Sequence, residues 1–129
     1  MTPGDREKLV SHLRRITHGA PIGAKLAAGN SLEQDRDFLL AGGVDFIAVE
    51  GAHATSKSGP PILLDDFDLP TMHALCRAVR HLEARQAKER LSLIISGGFA
   101  TPGDMLKALA IGADAIYLGT TARFAVSHF

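Results

Sequence analysis

Apolar residues recur along this chain in two alternating rhythms, steps of three and four and then short continuous runs. Around residues 5–17, Leu9, Leu13 and Ile16 fall on one helical face with Arg and Lys opposite, and Gly19 ends that helix. Pro21 to Leu26 reads as a nearly apolar strand running through Ala27-Ala28 into Gly29-Asn30. Ser31 with Gln34 has the spacing of a capping box for a helix that stops at Gly42-Gly43. Phe46-Ile47-Ala48-Val49 is apolar on both faces, which suits a parallel strand covered on both sides. After an irregular stretch over 50–68, Pro70 opens a long helix with Asp68 as candidate cap. Met72, Leu75, Val79 and Leu82 form its buried stripe. Leu91 to Ile95 is a third strand, followed by Ser96-Gly97-Gly98. Thr101-Pro102-Gly103-Asp104 starts the next helix, with Thr101 as cap, and Gly112 ends it. Ala115 to Leu118 is a fourth strand, leading to Gly119-Thr120-Thr121 and a last apolar segment.

The order is α-β-α-β-α-β-α-β-α, the signature of parallel strands joined by right-handed crossovers. A complete (β/α)8 barrel needs eight strands and about 250 residues. With 129 residues the chain has room for one domain, 1–129. Four βα units make it either half of a TIM barrel or a small open sheet.

Composition narrows the function classes. Lys+Arg and Asp+Glu number 14 each, so there is no net positive charge of the kind a nucleic-acid binder uses to collect phosphates. Cys76, the sole cysteine, excludes an intrachain disulfide framework and a C-x-x-C metal site, and its helical position suits simple packing. Met1 to Glu7 is polar and lacks the apolar region of a secretory signal. No apolar run approaches the ~20 residues of a membrane span. The expectation is a soluble, cytoplasmic chain without membrane or nucleic-acid partners.

Sites in parallel α/β folds are built where the strands end. Two adjacent strand ends here carry glycine beside a hydroxyl, Ser96-Gly97-Gly98 and Gly119-Thr120. Bare backbone lets N–H groups approach a phosphate, and hydroxyls add donors. One such turn reads as a tight βα connection; two side by side favour a phosphate cradle. Lys25, near the end of an apolar strand, either faces an anionic partner or runs its head out into solvent. His53, Ser56 and Lys57 in the long loop lack a placed third partner and read as solvated polar groups. Asp65-Asp66 reads as solvated or capping carboxylates.

At these strand ends the sequence resembles the FMN-binding domain of glutamate synthases. The resemblance is carried by Pro21-Ile22-Gly23-Ala24-Lys25-Leu26-Ala27-Ala28-Gly29, by Asp45 to Ala52, and by Leu63 to Leu82. It continues through Ser92 to Gly98 and Lys107 to Thr120, nearly the whole chain. It implies the second half of a (β/α)8 barrel, strands five to eight, holding FMN over the strand ends. There 2-iminoglutarate, formed from 2-oxoglutarate and ammonia, is reduced to glutamate. By this resemblance Lys25 lies near the N1–O2 edge of the flavin, where a cation stabilises the charge of the reduced ring. Ser96, Gly97 and Gly98 match one phosphate loop, and Gly119 with Thr120 the other. Glu50-Gly51 stands where the family has Asp-Gly on the substrate side, so Lys25 and Glu50 are the candidate catalytic pair.

The chain departs from the family pattern at Ala54-Thr55-Ser56-Lys57, where Thr55 replaces a glycine. With one cysteine it holds no iron–sulfur cluster, so electrons would arrive by another route. The other half of the barrel would come from a second copy or from a partner chain. Two alternatives stay open. One is a catalytically inactive flavin- or phosphate-binding half-barrel. The other is an FMN-dependent hydroxy-acid oxidase-like barrel, for which His53 without a nearby Arg is a poor base.

Overall fold

The structure, a computed structural model, describes residues 3–52 and 69–126. In chain order these form α1 (Pro3–Ile16), β1 (Gly23–Ala27), α2 (Leu32–Ala41), β2 (Phe46–Glu50) and α3 (Thr71–Ala84). There follow β3 (Ser92–Ser96), α4 (Pro102–Ile111), β4 (Ala115–Tyr117) and α5 (Thr120–Ala125). The strands form one sheet in the order β1-β2-β3-β4, every pair parallel.

That order decides between the two architectures left open by the periodicity. A doubly wound sheet reverses its strand order and carries helices on both faces. Here the order is sequential, and one face alone meets the helices. Alternation along each strand puts Leu26, Ile47, Val49, Leu93, Ile95 and Ile116 on that face. All six belong to or pack against the core, together with Leu32 of α2, Leu75, Val79 and Leu82 of α3, and Ala108 of α4. The opposite face carries Gly23, Lys25, Ala27, Phe46, Glu50, Ser96 and Tyr117, the inward set of a barrel wall. The molecule is a half-barrel.

Local rules explain most of the elements. The α3 stripe is as the spacing predicts, with Leu75 and Leu82 fully buried, each burial favouring the fold by roughly 1.5–3 kcal/mol. Thr101 caps α4 by accepting the Asp104 N–H, while its own hydroxyl donates to the Asp104 carboxylate. The expected capping box at Ser31 does not form. The Ser31 hydroxyl donates instead to the Asp35 carboxylate one turn on, at 2.8 Å, leaving the cap without a side-chain bond. Pro70 is the residue before α3 rather than its first turn, and Asp68 lies outside the described residues. The α1 stripe is only partly used: Leu9 and Ile16 are 45% and 54% exposed.

Helices α2 and α3 meet through charge. Arg77 donates from Nε and Nη2 to the two Glu33 oxygens, and this bond holds the Glu33 carboxyl below its usual range. His81 and Arg85 both bind Asp37. Arg36 is fully buried between them; its Nη2 donates to the Arg77 carbonyl, while Nε and Nη1 have no partner among the described residues. Burial is the main influence on that guanidinium and pulls its pKa down.

Candidate active site

The C-terminal strand ends are brought together by backbone bonds beyond the strands themselves. Ala28 N–H donates to the Glu50 carbonyl and Gly51 N–H to the Ser96 carbonyl, which continues the β1–β2–β3 ladder upward. The chain returning at Leu69 joins the same seam: its N–H donates to Ala28, and its carbonyl accepts from Ala52. Lys25, Glu50, Ser96 and the Gly-rich turns therefore share one end of one face, as their sequence positions imply.

Lys25 finds its anionic partner within the chain. Its Nζ lies 2.6 Å from Glu50 Oε1, with the two side chains 55% and 28% exposed. Parallel register explains the pairing. Ala27 lies beside Glu50, so Lys25, one inward position below Ala27, is a diagonal neighbour that a long side chain reaches. The pair faces the open side of the sheet, and both of the readings open for Lys25 are partly met. The cation is paired, yet its head remains accessible.

The glycines at the strand ends divide by environment. A Cβ on Gly97 would sit 2.7 Å from Thr71 Oγ1 and 2.9 Å from the Gly51 carbonyl oxygen, and its φ is +119°. A Cβ on Gly51 would fall 2.4 Å from Thr71 Cα. These two positions are glycine because the start of α3 is packed against them. Gly119 has nothing within 4 Å of its would-be Cβ, and Gly98 and Thr120 are exposed. Open space thus lies beside Gly119, with Gly98 and Thr120 exposed, while the side-chain direction of Gly97 is filled by protein.

Sequence reasoning missed two threonines. Thr71 Oγ1 lies 2.9 Å from the Gly97 carbonyl oxygen and 3.1 Å from that of Ala52, and its one proton serves both. Thr121 Oγ1 donates to the Phe99 carbonyl. For Thr121 the available signal was a hydroxyl at the second position of a helix directly following a glycine-bearing strand end; Thr71 opens α3 only after a long connection from β2 and carried no such signal. Tyr117, beside Ser96 in the register and 45% exposed, was also passed over.

His53, Thr55, Ser56, Lys57, Asp65 and Asp66 lie outside the described residues. A cavity of about 540 Å³ lies at the opposite end of the sheet, between Leu40, Val44, Ala87 and Leu91, with Asp37, Arg85 and Arg90 at its rim. It shares no residue with the Lys25–Glu50 face. Among the described residues no three His, Cys, Asp or Glu side chains are grouped to hold a metal. No described helix is long and apolar enough to cross a membrane.

The family model described as a conserved region in glutamate synthase matches residues 1–128. The chain belongs to the glutamate synthase family. It is 31% identical over 123 residues to an archaeal-type glutamate synthase [NADPH] of Dehalococcoides mccartyi, and 29% identical to the archaeal glutamate synthase [NADPH] of Archaeoglobus fulgidus. A glutamate synthase large subunit-like protein of Rhizobium meliloti is 29% identical over 125 residues. Each match covers 95–96% of this chain but only 24–28% of the relative, so the chain spans about a quarter of the length of the curated relatives it matches. Among solved structures it resembles a double mutant of flavocytochrome b2 with pyruvate bound, at TM-score 0.70 and 26% identity. That match covers 100% of this chain and 29% of the other. A sulfite-bound form of the same mutant matches equally well, at TM-score 0.70. This glutamate synthase half-barrel therefore superposes on a portion of a larger flavoprotein, in keeping with its sequential strand order.

Proposed function

We propose that this chain is the half-barrel of an FMN-dependent oxidoreductase of the glutamate synthase class, acting in the reductive amination of 2-oxoglutarate through 2-iminoglutarate to glutamate. The observation that carries this reading is the accessible Lys25–Glu50 pair, standing on the same open face and at the same strand ends as the Gly98 and Gly119 turns. The residues fit the group. Gly119 leaves room beside its backbone, Ser96 and Thr120 offer hydroxyls, and Lys25 offers a cation two strands away from Ser96, about 10 Å at ordinary strand spacing. Bound FMN would supply the hydride for the substrate C=N bond.

The chain's own residues do the rest. Ser96, Gly97, Gly98, Gly119 and Thr120 would hold the phosphate through backbone N–H groups and hydroxyls. Lys25 would hold positive charge at the ring edge where negative charge develops, and Glu50 keeps that Nζ aimed across the face. In this half-barrel Glu50 also presents a carboxylate to the substrate side. The 2-oxoglutarate carboxylates would then need cations from the other half of the barrel wall. A second copy or a partner chain supplying that half fits the two edges, β1 and β4, which pair with no further strand among the described residues, and the exposed Leu118, Phe124 and Val126 beside β4. A cytoplasmic location fits the nature of these substrates.

A second reading, a flavin- or phosphate-binding half-barrel without catalysis, is favoured by Lys25 being already neutralised by Glu50. Binding and turnover separate the two. FMN titrated into the purified chain should show a perturbed flavin absorbance and measurable heat. Lys25→Ala should weaken FMN several-fold but leave inorganic phosphate unchanged. Glutamate formation from 2-oxoglutarate, ammonia and reduced FMN selects the enzyme, whereas binding without it selects the module. Absence of binding by the intact chain to either ligand would overturn both readings. Sedimentation at 13.7 kDa at high concentration would exclude closure by a second copy.

A further inference from the structure

The turn after β3 is gripped from both sides by hydroxyls that the chemistry above does not use. On one side Thr71 Oγ1 donates to the Gly97 carbonyl, 2.9 Å away. On the other, Thr121 Oγ1 donates to the Phe99 carbonyl. Between them Gly97 and Gly98 both take positive φ, +119° and +69°, and Phe99 is anchored at 6% exposure. The two grips come from different helices, α3 and α5, so they link the ends of β2, β3 and β4 through one turn.

Their effect follows from peptide geometry. No cis bond occurs among the described residues, and in a trans peptide the C=O of one residue and the N–H of the next point in opposite directions. A Gly97 carbonyl turned towards Thr71 sends the Gly98 N–H the other way. A Phe99 carbonyl turned towards Thr121 does the same for the Ala100 N–H. Neither amide meets an acceptor among the described residues, and Gly98 and Ala100 are both exposed. Without the hydroxyls, a turn with two glycines could flip these peptide planes at small cost, and donors left free to rotate bind an anion less well.

We propose that Thr71 and Thr121 are positioning residues that set the Gly98 and Ala100 amides outward as donors for an anionic phosphate ester. This rests on the phosphate-binding reading above and adds to it the residues that orient the donors. Each hydroxyl acts through a carbonyl and need not touch the ligand.

The test uses Thr71→Val and Thr121→Val, which keep the shape and remove the hydroxyl, with Thr71→Ser and Thr121→Ser as restoring variants. FMN, inorganic phosphate and riboflavin, which lacks the phosphate, are titrated into the whole chain by calorimetry. Each Val variant is expected to bind FMN and phosphate about tenfold more weakly, the size of one hydrogen bond to a charged group, with riboflavin unchanged. The Ser variants should bind like the parent chain. The Gly98 and Ala100 amide resonances should move in the Val variants before any ligand is added. Val variants that bind FMN and phosphate within twofold of the parent would overturn the positioning role while leaving the phosphate reading intact. Equal losses for riboflavin and FMN would overturn it too, since they mean general loosening. If the parent chain binds neither FMN nor phosphate, the phosphate reading itself fails and the inference with it.

Discussion

At the N-terminal end of the sheet the strands are stapled by carboxylates, and at the C-terminal end they are joined by hydroxyls and glycines. Asp45, immediately before β2, accepts the Ile22 N–H at 2.7 Å and ion-pairs with Arg14 at 2.9 Å. Asp114, immediately before β4, repeats the device on the Leu93 N–H at 2.7 Å with Lys88 at 2.8 Å. Both also bond the same neighbour through their own backbone N–H. A charged acceptor makes a stronger, more directional bond to a neighbouring strand than a neutral one. The other end adds neutral hydroxyls on carbonyls to its backbone bonds, and its cross-strand pair Lys25–Glu50 stays accessible on the open face. Barrel folds keep stability at one end and chemistry at the other. Here the division appears in the kind of hydrogen bond each end employs.

The sharpest way to break this comparison is Gly97→Ala. The substitution meets both a positive φ and close contact with Thr71 and the Gly51 carbonyl, so a loss of about 3 kcal/mol is expected in denaturant unfolding. A loss near zero would mean that Thr71 and the Gly51 carbonyl do not pack tightly against Gly97. Next comes Asp45→Ala, expected to cost about 1 kcal/mol after allowance for its partly exposed position, with FMN affinity unchanged. A binding change as large as the stability change would show the two ends to be coupled.

Acid titration sharpens the same contrast. The Ile22 N–H, then the Arg14 guanidinium, hold the Asp45 carboxyl below its usual range. With the native pKa below the unfolded one, its contribution is full above the ordinary aspartate range. It is lost as pH falls through that range to the lower native value. The stability gap between the parent and Asp45→Asn should therefore be flat near neutrality and close on acidification. A gap that widened as pH fell would contradict the staple. The smallest effect on stability is expected for Gly119→Ala, within about 0.5 kcal/mol because nothing crowds that position. FMN affinity should nevertheless drop several-fold. Unchanged affinity would remove Gly119 from the site.

Several elements were legible because their causes are local. Thr101-Pro102-Gly103-Asp104 caps α4 in the manner its residue types dictate, and the apolar spacing of α3 finds its own core. Ile47, Ala48 and Val49 are all buried, as an apolar run with no polar face requires. Ser31 misled because Asp35 competes for its hydroxyl, a choice between two local bonds that spacing alone does not rank. Of the site, Lys25 and the glycine pairs stood out as residue types unusual for their places. Thr71 and Thr121 did not, since a threonine near a helix start is ordinary until its carbonyl partner on another strand is known.

By itself the sequence determined the alternation of helix and strand and which residue types stand at each strand end, because each depends on neighbours within a few positions. Tertiary structure alone decided that Glu50 neutralises Lys25, that Thr71 fills the side-chain direction of Gly97, and that Asp45 and Asp114 staple strands more than twenty residues away. Those contacts depend on register and crossover, which place distant residues side by side only after the sheet has formed.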